Sequence, residues 1–142
     1  MTTIAYNHKD KEIAFDSRCT CGDLIVSDSN DKIERRDGIN YVCAGDLNDI
    51  ADLVDNIDTG MFITKESTAE AFFFKDGKAF RAVWPINEQV DITELTSDRA
   101  TGTGRDFALA ALDFGRTAKQ AVEYAKTRDI YTGGKVRVIK VK

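Results

Sequence analysis

Proline occurs once in the 142 residues, histidine once and cysteine three times. With Pro85 as the only ring-locked backbone position, nearly the whole chain is free to donate amide hydrogen bonds to regular structure. A lone His8 in a polar turn and no second cysteine pair beside Cys19 and Cys21 exclude the usual four-ligand zinc patterns, so these two and Cys43 read as structural or incidental thiols. An odd cysteine count, with no apolar run in the opening MTTIAYNHKDKE long enough for a signal peptide, predicts a reduced, cytoplasmic setting. No stretch approaches the ~20 apolar residues of a membrane span. An excess of basic charge is also lacking: 20 Lys and Arg against 24 Asp and Glu give a net charge of −4, which disfavours nucleic acid and anionic membrane as partners.

What is present is a chain of 42% hydrophobic and 31% charged residues. Its length predicts one domain over 1–142, on a prior of about 150 residues per domain, and such a domain buries roughly 68% of its unfolded surface without staples. Strands are expected at Thr2 to Tyr6 and Glu12 to Asp16 around the turn 7–11, then at Leu24 to Ser27, Lys32 to Arg36 and Ile39 to Ala44. Leu47, Ile50, Ala51, Val54 and Ile57 carry a helical period, with Asp46 placed to cap the first turn and the end near Gly60. Further strands are expected at Met61 to Thr64, Glu70 to Phe74 and Lys78 to Trp84, the last two joined by a tight Asp76-Gly77 turn, and Val90 to Ile92 reads as extended.

Thr101-Gly102-Thr103-Gly104 leads into a helix through Phe114, with no clear strand before it. Thr117 and Gln120 form a capping-box pattern before Ala118, Ala121, Val122 and Ala125, and the alternating KVRVIKV at 135–141 closes the chain as a strand. Strands, helix, strands, two helices and a strand joined by hairpins make an α+β class with antiparallel sheets; two sheets packed face to face between helices would bury every apolar stripe.

Periodicity alone names no site. Thr2 behind a removable Met1 would carry a hydroxyl and a free α-amine in one residue, nucleophile and base together, but many unrelated chains begin Met-Thr and taken alone the pair reads as an ordinary edge strand. On the residues alone, Asp16 and Lys32 read as unrelated surface charges and Gly45 as a helix-boundary glycine. Gly102-Thr103-Gly104 lacks the third glycine of a dinucleotide loop, since Phe107 stands there.

Taken together, Thr2-Thr3-Ile4, then Asp16-Ser17-Arg18-Cys19-Thr20 with Gly22, then Asp31-Lys32-Ile33, Ala44-Gly45, Gly102-Thr103-Gly104 and the run 129–134 follow one another in a telling order. This succession resembles the proteasome β-subunit and HslV family of N-terminal nucleophile hydrolases across the whole chain. The resemblance implies a four-layer αββα sandwich of two antiparallel sheets and a threonine peptidase that cleaves peptide bonds through an acyl-enzyme. It assigns Thr2 as nucleophile, Lys32 as the cation lowering its proton affinity, and Asp16 as the partner of Lys32. Thr103, Asp129 and Thr132 would complete a network near the N-terminal amine, and Gly45 would offer an oxyanion donor. Thr20 would lie along the substrate cleft, with Cys19 and Cys21 beside it as pocket lining.

The resemblance requires no cofactor for the chemistry. In HslV the same loop binds a monovalent cation through backbone carbonyls, which would correspond here to Lys126, Asp129 and Thr132. It implies peptide or unfolded-protein substrates, a homo-oligomer as ring or smaller assembly, and an ATP-dependent unfoldase as partner. The family's second helix after the glycine loop is missing here or reduced to a turn, between Asn56 and Met61, so the helix layer is expected to be reduced. That shortfall motivates one alternative, a non-catalytic assembly or interaction module; a second, a small-amide hydrolase, stays open because N-terminal nucleophile folds serve several amidases. The intact mass of natively expressed protein separates the first of these from an enzyme. Loss of one methionine is the expected result, and retention of Met1 favours the interaction module.

Overall fold

A computed structural model describes residues 2–141. In chain order the elements are β1 (Thr3–Asn7), β2 (Glu12–Phe15), β3 (Cys19–Cys21), β4 (Leu24–Ser27), β5 (Ile33–Arg36), β6 (Ile39–Ala44), α1 (Leu47–Asp55), β7 (Glu70–Lys75), β8 (Lys78–Val83), β9 (Asp91–Glu94), β10 (Arg99–Gly102), α2 (Arg105–Asp113), α3 (Ala118–Lys126) and β11 (Arg137–Lys140). They gather into two compact units: one holds the residues up to Lys32 and from Thr96 onward, the other Ile33–Leu95.

In the first unit the sheet order is β10-β1-β2-β11, with all neighbours antiparallel, and β3 and β4 form a separate two-stranded ribbon. β1 is a central strand buried along its whole length, which its TIAYN sequence allows because only the threonine, tyrosine and asparagine side chains carry polar groups, and the Tyr6 hydroxyl meets His8 Nδ1 at 2.8 Å. Ala5 and Ala14 of this sheet share a core with Ala108, Ala111 and Leu112 of α2 and Ala118, Ala121, Val122 and Ala125 of α3. So many alanines bring helix and sheet backbones close together, and the packing replaces bulk with proximity.

α3 begins as its sequence dictates. The Thr117 side chain accepts the Gln120 N–H at 3.1 Å while the Gln120 side chain accepts the Thr117 N–H at 3.1 Å, closing the capping box.

The second unit is a five-stranded antiparallel sheet in the order β5-β6-β7-β8-β9. α1 lays Ile50, Leu53 and Val54 into a core with Tyr41, Cys43, Phe73 and Trp84. Tyr41 and Phe73 ring centroids lie 4.7 Å apart, and Phe73 stacks on Phe80 at 5.5 Å. Asp76 and Gly77 both take positive φ, 53° and 77°, as the tight hairpin between β7 and β8 requires. Burial pushes the Cys43 thiol up to about 12, so it is an inert core residue.

The structure corrects several expectations. Met61 to Thr64 is not a strand, and residues 56–69 contain neither helix nor strand. Ile63 exchanges a hydrogen-bonded pair with the 87–88 turn, at 3.1 and 2.7 Å, and this isolated pair does not extend into a ladder, which leaves Met61 and Phe62 exposed. One helix, α1, precedes β7 among the described residues, and no second follows it between Asn56 and Met61. Asp46 occupies the N-cap of α1 without a side-chain cap bond. Its N–H donates instead to Thr68 Oγ1 at 2.9 Å, and Asp49 in the first turn accepts both the N–H and the hydroxyl of Thr68 at 2.9 Å. β10 and β3 form where no strand was expected. β10 owes its existence to pairing along β1, from Tyr6↔Arg99 to Thr3↔Gly102, and not to its own short RATG sequence.

The capping box carries a direct prediction. Thr117→Ala removes the side-chain acceptor and costs about 1 kcal/mol, which lowers the thermal midpoint by about 3–4 °C in a calorimetric scan. An unchanged midpoint contradicts the cap's role.

Candidate active site

Asp16 follows β2 directly and is fully buried. A carboxylate cannot be left unpaired in such a place, and four donors reach it. Oδ1 accepts Lys32 Nζ at 2.8 Å and the Thr3 N–H at 3.1 Å, while Oδ2 accepts the Gly133 N–H at 3.0 Å and the Arg18 N–H at 3.4 Å. Lys32 is 5% exposed at its side chain, so this ion pair is an interior one. Burial pushes the Lys32 ammonium below the ordinary lysine value, against the pull of Asp16, which favours the charged form.

A second polar cluster lies in the same unit. Thr103 Oγ1 and Thr132 Oγ1 both donate to Asp129 Oδ2, at 2.5 and 2.6 Å, and the Tyr131 N–H reaches Asp129 Oδ1 at 3.2 Å. Thr2 is 7% exposed, and its carbonyl accepts the Thr103 N–H at 3.0 Å. Gly102, at φ +93°, is pressed so closely to that carbonyl that a Cβ would lie 1.6 Å from the oxygen. Any side chain at 102 would therefore displace residue 2 itself.

Thus Asp16 with Lys32, and Thr103 with Asp129 and Thr132, are brought together as two clusters, and Thr2 is tied to the second through its backbone. Sequence reasoning missed Thr3, which touches both. Its N–H meets Asp16, its carbonyl accepts the Asp16 N–H at 3.3 Å, and its Oγ1 lies 2.6 Å from Thr132 Oγ1. The available signal was the doubled threonine at the head of an otherwise apolar strand.

Thr20 lies in β3 opposite Ile25, with Cys19 half-buried and Cys21 exposed beside it. Gly45, in the second unit, takes φ +120°, and a Cβ there would lie 2.6 Å from the Thr68 carbonyl oxygen; close backbone packing demands glycine at this position. The Lys126 side chain pairs with Glu123 at 3.3 Å. In the carbonyl loop, the Asp129 oxygen already accepts the Thr132 N–H at 3.1 Å, and Arg18 Nη1 donates to the Ile130 oxygen at 2.8 Å, so a guanidinium supplies positive charge to this loop from within the chain. Among the described residues no group of three or more His, Cys, Asp or Glu side chains gathers into a metal site, and no helix is long and apolar enough to cross a membrane. The expected removal of Met1 falls outside the described residues.

Asp16→Ala should destabilise the protein by about 3–5 kcal/mol, because it strands a buried ammonium. Chemical denaturation measures this, and a loss below about 1 kcal/mol, the range of an exposed pair, contradicts the buried geometry.

No family model and no curated protein matches the chain. Solved structures do. Thiobacillus denitrificans BPH in complex with epoxomicin superposes with a TM-score of 0.72 at 16% identity, over 99% of this chain and 99% of that one. A second structure of the same BPH gives 0.72 at 15% identity, over 100% and 99%. Eukaryotic HslV from Trypanosoma brucei gives 0.72 at 18% identity, over 96% and 97%. Likeness at this identity is likeness of fold, and the chain has the HslV-type fold.

Proposed function

We propose that this chain is an N-terminal nucleophile hydrolase of the proteasome and HslV type, a threonine peptidase acting on peptide or unfolded-protein substrates. The observation that carries this reading is the buried Asp16–Lys32 pair, whose carboxylate also accepts the amide of residue 3, immediately after the candidate nucleophile. The fold likeness supports it, and so does epoxomicin bound to the similar BPH, which makes that compound the first probe to try here.

In the proposed reaction Met1 is removed and the α-amine of Thr2, with an ordinary pKa near 7.7–8.0, takes the hydroxyl proton as Oγ1 attacks the substrate carbonyl. Lys32 favours the oxygen's anionic form, and the Gly45 N–H is the proposed donor to the tetrahedral oxyanion. The protonated amine then passes its proton to the leaving amine as the C–N bond breaks, leaving an ester on Thr2. Water, deprotonated by the same amine, hydrolyses that ester and restores the enzyme. Asp16 holds Lys32 in place, and Thr103, Asp129 and Thr132 order the loop beside residue 2. Thr20, Cys19 and Cys21 line the cleft in which an extended peptide adds as a strand.

The same reading includes a four-layer αββα sandwich, a cytoplasmic homo-oligomer and an unfoldase partner. A monovalent cation on the carbonyls of Lys126, Asp129 and Thr132 belongs to it as a structural addition that no chemical step needs. A second reading, a non-catalytic interaction module, is favoured by the helix-free segment 56–69.

Two outcomes test the peptidase. Thr2→Ala should lower kcat on a fluorogenic peptide by at least about 10³-fold, the scale of losing a nucleophile, and unchanged hydrolysis contradicts the mechanism. The pH profile of kcat/KM should rise as the α-amine loses its proton and fall again where Lys32 does, below the 10.5 of an ordinary lysine because burial lowers that group. An alkaline limb at or above 10.5 excludes Lys32 as the required cation.

A further inference from the structure

Thr3 is fully buried in a central strand, where valine would have the same shape and as good a strand propensity. Burying a hydroxyl without partners costs about 1–3 kcal/mol, so its place here rests on the bonds it makes. The geometry assigns every proton among them. Asp129 Oδ2 accepts from both Thr103 and Thr132, so both of those hydroxyl protons point at the carboxylate. Thr132 Oγ1 is left as acceptor at 2.6 Å from Thr3 Oγ1, and Thr3 must donate to it. Thr3 Oγ1 accepts in turn from the Gly104 N–H at 3.0 Å. The chain of donation runs one way, from Gly104 through Thr3 and Thr132 to Asp129.

There is little room to alter this arrangement. A Cβ on Gly104 would lie 2.4 Å from Thr3 Oγ1 and 3.1 Å from Thr132 Oγ1. All three polar groups of residue 3 are thus committed: the N–H and C=O to Asp16, which holds Lys32, and the hydroxyl to the Asp129 cluster. Residue 3 is the joint at which the two clusters meet, and residue 2 is bonded directly to it.

We propose that Thr3 is a positioning residue for the Thr2 nucleophile, its hydroxyl locking residue 2 into register with both the Asp16–Lys32 pair and the Asp129 cluster. The proposal rests on the peptidase reading and adds a residue to it. Thr3→Ser keeps the hydroxyl and Thr3→Val keeps the shape, so the pair separates donation from packing. With a fluorogenic peptide, Thr3→Val should lower kcat per folded molecule about tenfold to a hundredfold while KM moves less than about twofold, and Thr3→Ser should recover kcat to within about threefold of the unmodified chain. A merely structural role would lower the thermal midpoint and leave kcat per folded molecule unchanged. Where Thr3→Val fails to fold, Thr3→Ala removes the same hydroxyl and must give the same split between kcat and KM. An unmodified chain that hydrolyses no peptide overturns the peptidase reading and this proposal with it. An active chain whose Thr3→Val variant keeps full kcat, or whose Thr3→Ser variant is as slow as Thr3→Val, overturns the role of Thr3 alone.

Discussion

A carboxylate with no exposed surface sets the terms for the first unit. Asp16 is stable inside the protein only if donors surround it, and those donors come from four separated stretches of chain: β1, the segment after β2, the residue before β5, and the loop after α3. Each must arrive with its N–H or ammonium correctly aimed. Position 133 has no room for a side chain, since a Cβ there would be 2.3 Å from the Arg18 guanidinium. Arg18 in turn spans from the Asp28 carboxylate, which it holds below the usual carboxylate range, to the Ile130 carbonyl. One buried charge thereby fixes the start of the chain against its distant loop.

The proposed chemistry lies where that constraint is tightest. The candidate nucleophile is one bond from an amide held by Asp16, and its own carbonyl is held by the Thr103 amide across a glycine that tolerates no side chain. Hydrogen bonds on both sides thus fix the backbone at residue 2, which preorganises the position of any group it carries. The second unit works differently. Its aromatic core around Tyr41 and Phe73 carries no buried charge pair of this kind among the described residues, and Gly45 is held by close backbone packing on Thr68 and Ala69.

The legible parts of the sequence were those where local rules decide. The capping box at Thr117, the Asp76-Gly77 hairpin and the alternation of the last strand all follow from residues within a few positions of one another. β10 and β3 were not legible, because short strands with a glycine or a turn beside them form only when a partner strand is already in place. Met61 to Thr64 misled for the opposite reason: an apolar run with strand composition pairs only at Ile63, with the 87–88 turn, and builds no ladder. The Asp16–Lys32 contact spans 16 residues without any periodic relation, so only family resemblance pointed to it, while Thr3 escaped because a threonine in a strand is unremarkable until its hydroxyl is seen to be buried and bonded.

The central claim is that the buried network exists to activate residue 2. Treating natively expressed protein with a hydroxyl-directed electrophile and mapping the adduct by mass spectrometry tests this most directly. The account predicts a single adduct on Thr2 as the first residue of the mature chain, lost when Thr2→Ala is treated in the same way. An adduct distributed over other hydroxyls, or a chain that keeps Met1 and stays unmodified at Thr2, contradicts it.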